Sequence, residues 1–184
     1  MTDGGSIGVI GAGAWGTSLA LVAARRGHAV QLWGHDAGKV AAMVAGRENT
    51  ARLPGLALDP LITPTADLVQ LAGCDVLIVA TPAQRVREVM QRLAPHLSPG
   101  IPAVIAAKGI EQASAKFMAQ VLGEACPAAV PAILSGPSFA ADVARGLPTA
   151  LTLACADEAL GQRLAETLGT RSLSKVCVDS DGAV

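Results

Sequence analysis

The chain has 184 residues, 51% of them hydrophobic, and a formal net charge of −1 from 14 basic and 15 acidic side chains. That balance leaves no positive field for a nucleic-acid partner, and two Trp, two Phe and no Tyr offer no stacking platform for single strands. No apolar run reaches the length of a membrane span, and Met1-Thr2-Asp3-Gly4-Gly5-Ser6 lacks the basic segment of a signal peptide.

Ile7-Gly8-Val9-Ile10 reads as a short strand and runs directly into Gly11-Ala12-Gly13-Ala14-Trp15-Gly16. This is G-x-G-x-x-G between a strand and a helix, the setting in which the pattern binds a dinucleotide. Gly11 permits the tight turn, Gly13 lets bare backbone approach a pyrophosphate, and Gly16 lets the helix pack closely on the strand. The helix expected over 15–26 begins with unpaired N–H groups and a partial positive charge, both attractive to phosphate. Arg25 and Arg26 suit its negative end and Gly27 a left-handed cap. A second strand over 29–33 completes a βαβ start.

Farther along, Asp36 can cap a helix reaching about residue 48, and a loop holding Asn49 and Leu53-Pro54-Gly55 follows. Thr65 or Asp67 opens a short helix, 75–80 is a buried strand, and Pro82 starts a helix to about 94. A strand over 101–107, a helix over 114–125, strands over 132–134 and 149–154, a helix over 157–168 and a strand over 171–178 complete the alternation. The pattern predicts an α/β fold, a Rossmann-like doubly wound and mostly parallel sheet. Residues 1–178 make one dinucleotide-binding domain, and 179–184 read as the start of a connection to a further, helical domain.

Cys74, Cys126, Cys155 and Cys177 form no C-x-x-C pair, and His28, His35 and His96 lack metal-ligand spacing. Buried thiols, no metal and a reducing, cytoplasmic setting are the expectation.

Two further segments follow strands, where the crevice of an open α/β sheet lies. Lys108-Gly109-Ile110-Glu111 places an ammonium there, able to hold a phosphate or polarise a carbonyl. Ser135-Gly136-Pro137-Ser138-Phe139-Ala140 reads as a tight turn opening a helix, with Ser138 its candidate N-cap. No histidine or lysine stands beside Ser138 in sequence to make it a nucleophile.

With Asn49, Leu53-Pro54-Gly55 and Gly146-Leu147-Pro148-Thr149, these motifs occur in the order seen in bacterial-type NAD(P)-dependent glycerol-3-phosphate dehydrogenases. The chain resembles the dinucleotide-binding domain of that family over about residues 6 to 170. The resemblance implies reduction of dihydroxyacetone phosphate to sn-glycerol 3-phosphate, supplying glycerophospholipid synthesis. It places Gly11, Gly13, Ala14, Trp15, Gly16, His35, Arg52, Lys108 and Ala140 on the cofactor, and Lys108, Gly136 and Ser138 on the substrate. The family's general acid/base lysine lies past Val184, so no catalytic acid/base is expected within the chain. The family often has arginine at His35 and tyrosine at Arg52. No carboxylate ends the strand over 29–33, which leans the choice between NAD and NADP toward NADP. The intact protein is expected as a homodimer and this fragment as a monomer. A non-catalytic dinucleotide-binding module and another hydroxyacid or ketoacid reductase are the alternatives.

Overall fold

The computed structural model of the chain describes residues 5–169 and 173–176. Cys177 and the expected connection 179–184 lie outside them. In chain order the elements are β1 (Ser6–Ile10), α1 (Ala14–Arg25), β2 (Ala29–Trp33), α2 (Ala37–Gly46) and β3 (Ile62–Thr65). There follow β4 (Val76–Val79), α3 (Ala83–Leu93), β5 (Ile101–Ile105), α4 (Met118–Ala125) and β6 (Ala129–Ser135). The last are α5 (Ala140–Arg145), β7 (Leu151–Cys155), α6 (Glu158–Leu168) and β8 (Leu173–Val176).

The described strands form one sheet in the order β3-β2-β1-β4-β5-β6-β7-β8. From β3 through β6 every pair is parallel. β7 is antiparallel to β6, and β8 is parallel to β7. The expected doubly wound, mostly parallel sheet is therefore present.

Alternation along the strands feeds two cores. Val9, Leu32, Ile78 and Val104 face α1, where Leu19, Ala20 and Ala23 meet them. Ile10, Leu77, Val79 and Ile105 face the other way, onto Val86, Met90 and Leu93 of α3 and Val121 and Leu122 of α4. Strands covered on both faces must be apolar throughout, which is why β4 reads Val-Leu-Ile-Val. In α1 every residue from Gly16 to Ala24 is buried, because α5 covers the side turned away from the sheet.

The expected elements differ most from the observed ones at four places. β3 replaces part of what reads as loop: Ile62-Thr63-Pro64-Thr65 is short, and its proline can be accommodated because β3 is an edge strand. α2 stops at Gly46, short of residue 48, because Arg47 turns left-handed at φ 48° and sends its guanidinium to the carbonyls of Asp59 and Ile62. α4 starts at Met118, not near 114, because Glu111 N–H donates to Lys116 O and Ala115 N–H to Glu111 O, closing a turn first. Ser138 is not a helix cap. Phe139 occupies that position, with no side-chain cap bond.

Candidate dinucleotide site

The turn between β1 and α1 gives its three glycines separate duties. A Cβ built on Gly16 would stand 1.8 Å from Gly11 O. One on Gly11, where φ is +121°, would meet the backbone of Ala80 at 2.9 Å. Both are demanded by the protein's own packing. Around a Cβ on Gly13 there is nothing within 4 Å. Packing within the chain gives no reason for glycine there, and the space beside its Cα is open to an approaching group.

What approaches would meet the start of α1. Gly13 is its N-cap, no side chain caps it, and its first turn carries no acid. The orphan N–H groups and the positive end of the dipole are left for an anion. Asn49 holds this turn in shape. It is 3% exposed, and its Nδ2 donates to Ala12 O at 3.0 Å and to Thr17 Oγ1 at 2.8 Å. Its own carbonyl accepts from the N–H groups of Arg52 and Leu53. Asn49 thus ties the segment carrying Arg52 to the glycine turn.

Other predicted residues gather at the same edge. Lys108 is exposed, and its Nζ stands 5.9 Å from the centroid of the Trp15 ring, within cation–π reach. The Ser18 hydroxyl lies 2.7 Å from both Ala14 O and Ala140 O, so one proton joins the start of α1 to the start of α5. Gly136 allows close passage of backbone: a Cβ there would lie 2.4 Å from Ala150 O. Trp15 Nε1, Thr81 Oγ1 and Ser138 Oγ, with Gln31 Oε1 on β2, are shielded and have no hydrogen-bond partner among the described residues. Buried polar atoms left open in this way fit a ligand that would complete them. His35 and Arg52 are exposed, and the structure shows no side-chain bond from either to the turn. Backbone beside His35 does reach it, since a Cβ on Gly34 would sit 3.3 Å from Ala12 Cβ.

Asp36 is the carboxylate nearest the end of β2, and it is already occupied. It accepts from Lys39 N–H at 3.0 Å and pairs with Lys39 Nζ at 3.2 Å, contacts that hold its carboxyl below the usual range. Cys74 and Cys126 are buried thiols, their pKa values raised mainly by desolvation, and Cys155 is buried as well. Among the described residues no group of three His, Cys, Asp or Glu could hold a metal, and no helix is long and apolar enough to cross a membrane. An apolar cavity of about 260 Å³, lined by Leu19, Val22, Val143 and Leu151, contains none of the predicted site residues.

Sequence reasoning misses Asn49 as the lock of the turn, and it misses Gln84 and Arg87. These two reach the 108–112 loop from α3. The local sequence around them reads only as an amphipathic helix.

A mostly parallel, doubly wound α/β sheet whose first strand ends in this turn defines a Rossmann-type dinucleotide domain. The chain belongs to the NAD-dependent glycerol-3-phosphate dehydrogenase N-terminus family, whose model matches residues 6–161. It is 57% identical over 164 residues to a glycerol-3-phosphate dehydrogenase [NAD(P)+] of Azorhizobium caulinodans, covering 89% of this chain and 50% of that one. The relative of the same name from Maricaulis maris is 52% identical over 170 residues, covering 92% and 51%. A crystal structure of glycerol-3-phosphate dehydrogenase from Coxiella burnetii superposes with a TM-score of 0.89 at 30% identity, covering 96% of this chain and 54% of that one. The chain spans about half the length of the curated relatives it matches.

Proposed function

We propose that this chain is the cofactor-binding part of a cytoplasmic enzyme that reduces dihydroxyacetone phosphate to sn-glycerol 3-phosphate with NAD(P)H. The observation that carries the reading is the open space at Gly13, at an uncapped helix start whose Trp15 lies within cation–π reach of Lys108. In this reading the backbone of Gly11, Gly13, Ala14, Trp15 and Gly16 takes the pyrophosphate. His35 and Arg52 take the adenosine end, and Ala140 a further part of the cofactor. Gly136 and Ser138 contact the substrate. A reduced nicotinamide supplies hydride to the ketone carbon. Lys108, a compact cation at the carboxyl end of β5, stabilises the negative charge that develops on the ketone oxygen. No catalytic acid/base is assigned within the chain.

NADPH is the favoured cofactor. A carboxylate at the end of β2 would grip a ribose 2′-OH and repel a 2′-phosphate. β2 ends at Trp33 and is followed by Gly34, and Asp36 is engaged as the cap of α2.

Calorimetric titration of the chain with NADH and NADPH tests the reading, paired with an assay of NAD(P)H oxidation by dihydroxyacetone phosphate. Binding of both is expected, NADPH more tightly, with turnover far below the typical ~10 per second. A folded chain that binds neither dinucleotide refutes the reading. Turnover near that typical rate would place the acid/base among these residues.

A further inference from the structure

The loop that carries Lys108 is fastened to α3 more firmly than a surface loop requires. Glu111 is 7% exposed, and Arg87 grips it with both arms: Nε to Oε1 at 2.9 Å and Nη2 to Oε2 at 2.8 Å. The Ser114 hydroxyl donates to Oε2 at 2.5 Å. Arg87 Nη2 also reaches Glu124 at 2.9 Å, and Lys116 pairs with the same carboxylate. One turn earlier on α3, Gln84 clasps the loop backbone twice. Its Nε2 donates to Ile110 O at 2.8 Å, and its Oε1 accepts from Gln112 N–H at 2.9 Å.

These bonds bracket Lys108 from one side. On the other, Ala106 N–H is tied to Val79 O at the end of β4. Ala107, Lys108 and Gly109 are thus the short stretch between two anchored points, and Gly109 turns there at φ +105°. A sequestered carboxylate is costly to retain unless its geometry matters, because an apolar residue could pack in its place. The planar fork of Arg87 fixes direction as well as distance, which a lysine could not do.

We propose that Glu111, Arg87 and Gln84 are positioning residues that hold the Lys108 ammonium above Trp15, at the mouth of the glycine turn. The inference rests on the reading that a nicotinamide dinucleotide binds there, but the placement itself can be measured without it.

The experiment uses the chain with Trp33 replaced by Phe, leaving Trp15 as the sole tryptophan. A unit charge about 6 Å away in water concentrates an anion roughly threefold, and salt reduces this to about twofold. Lys108→Met should therefore lower iodide quenching of Trp15 about twofold and leave quenching by neutral acrylamide unchanged. Glu111→Gln, Arg87→Met and Gln84→Met should lower iodide quenching in the same direction with Lys108 present. They should also raise the NADPH Kd about tenfold, the size of one lost charge-assisted contact. In a Lys108→Met background they should raise it less than about twofold, since coupled residues are not additive. Gln84 is exposed, so its variant keeps the test open should a Glu111 variant fail to fold. Brace variants with normal iodide quenching, or with equal losses of affinity in the presence and absence of Lys108, overturn the proposal. If iodide responds as expected while the parent chain binds no dinucleotide, the positioning stands and the functional reading falls.

Discussion

Gly13 and Gly16 stand three residues apart in one motif, yet their substitutions should fail in opposite ways. In Gly16→Ala the new Cβ meets Gly11 O at 1.8 Å. That atom is backbone within the turn and cannot step aside like a flexible side chain. The cost should reach about 3 kcal/mol, the upper end for overpacking, or a fall in Tm of roughly 6–12 °C for a chain of this size. Gly13→Val meets nothing within 4 Å, at φ −75° and ψ 178°, an extended conformation open to valine. Losing glycine as N-cap costs about 1 kcal/mol, offset by about 0.4–1 kcal/mol from the stiffer unfolded chain, so Tm should hold within roughly 3 °C. Its effect should appear in binding. The valine side chain occupies the approach to the helix N–H groups, and each lost charge-assisted hydrogen bond is worth about 1.5–3 kcal/mol, a Kd raised ~10- to 150-fold. Calorimetric titration with NADPH and thermal unfolding by circular dichroism read the two quantities. A folded Gly13→Val chain with unchanged affinity would refute the reasoning, as would a Gly16→Ala chain as stable as its parent.

Asn49→Ala removes two hydrogen bonds and leaves Ala12 O and the buried Thr17 hydroxyl without them, a loss of about 2 kcal/mol and roughly 4–8 °C in Tm. Affinity for NADPH should fall too, and thermal scans with and without cofactor check both; a shift in Tm below about 1 °C would remove the lock assigned to this residue. Glu111 has a different signature, in acid. Arg87 and then Ser114 hold its pKa down from 4.5 to about 2. Its contribution to stability is therefore complete above about 4.5 and is lost as pH falls through about 2. Urea unfolding should show Glu111→Gln less stable than the parent at pH 6, with the gap closing as pH approaches 2; a gap independent of pH would contradict the ion pair.

The parts of this fold that are legible in the sequence are local. Gly11 to Gly16 declare a turn because strand, turn and helix adjoin. Asp36 caps its helix as expected, and the helix expected from 157 begins at Glu158 with Asp157 as its cap. What stays hidden depends on contacts far apart in the chain. Arg87 and Glu111 are 24 residues apart, and Asn49 meets Ala12 across 37. Nothing in either neighbourhood names the partner. β3 is concealed by Pro64 and by its four-residue length. The late start of α4 is hidden for another reason: residues 114–117 have acceptable helix propensity, and a turn closed by Glu111 wins over it.

The reversal at β7 explains why motifs separated in sequence meet at one edge. Loops after β1, β4, β5 and β6 all leave the carboxyl edge of the sheet, because those strands are parallel. This brings together the glycine turn, Thr81-Pro82, the Lys108 loop and residues 136–139, close to the β1/β4 boundary where the winding changes direction. A parallel β7 would begin at the far edge, and residues 146–150 would be carried away from the crevice. Because β7 is antiparallel, Ser135 pairs with Thr152 and the chain returns at the same edge. The return also explains Gly136: its Cα must pass Ala150 O at a distance that leaves no room for a side chain. The strand pairing and this close backbone passage tie the segment that begins at Gly136 to the one that ends at Ala150, so the two motifs lie side by side at the same edge.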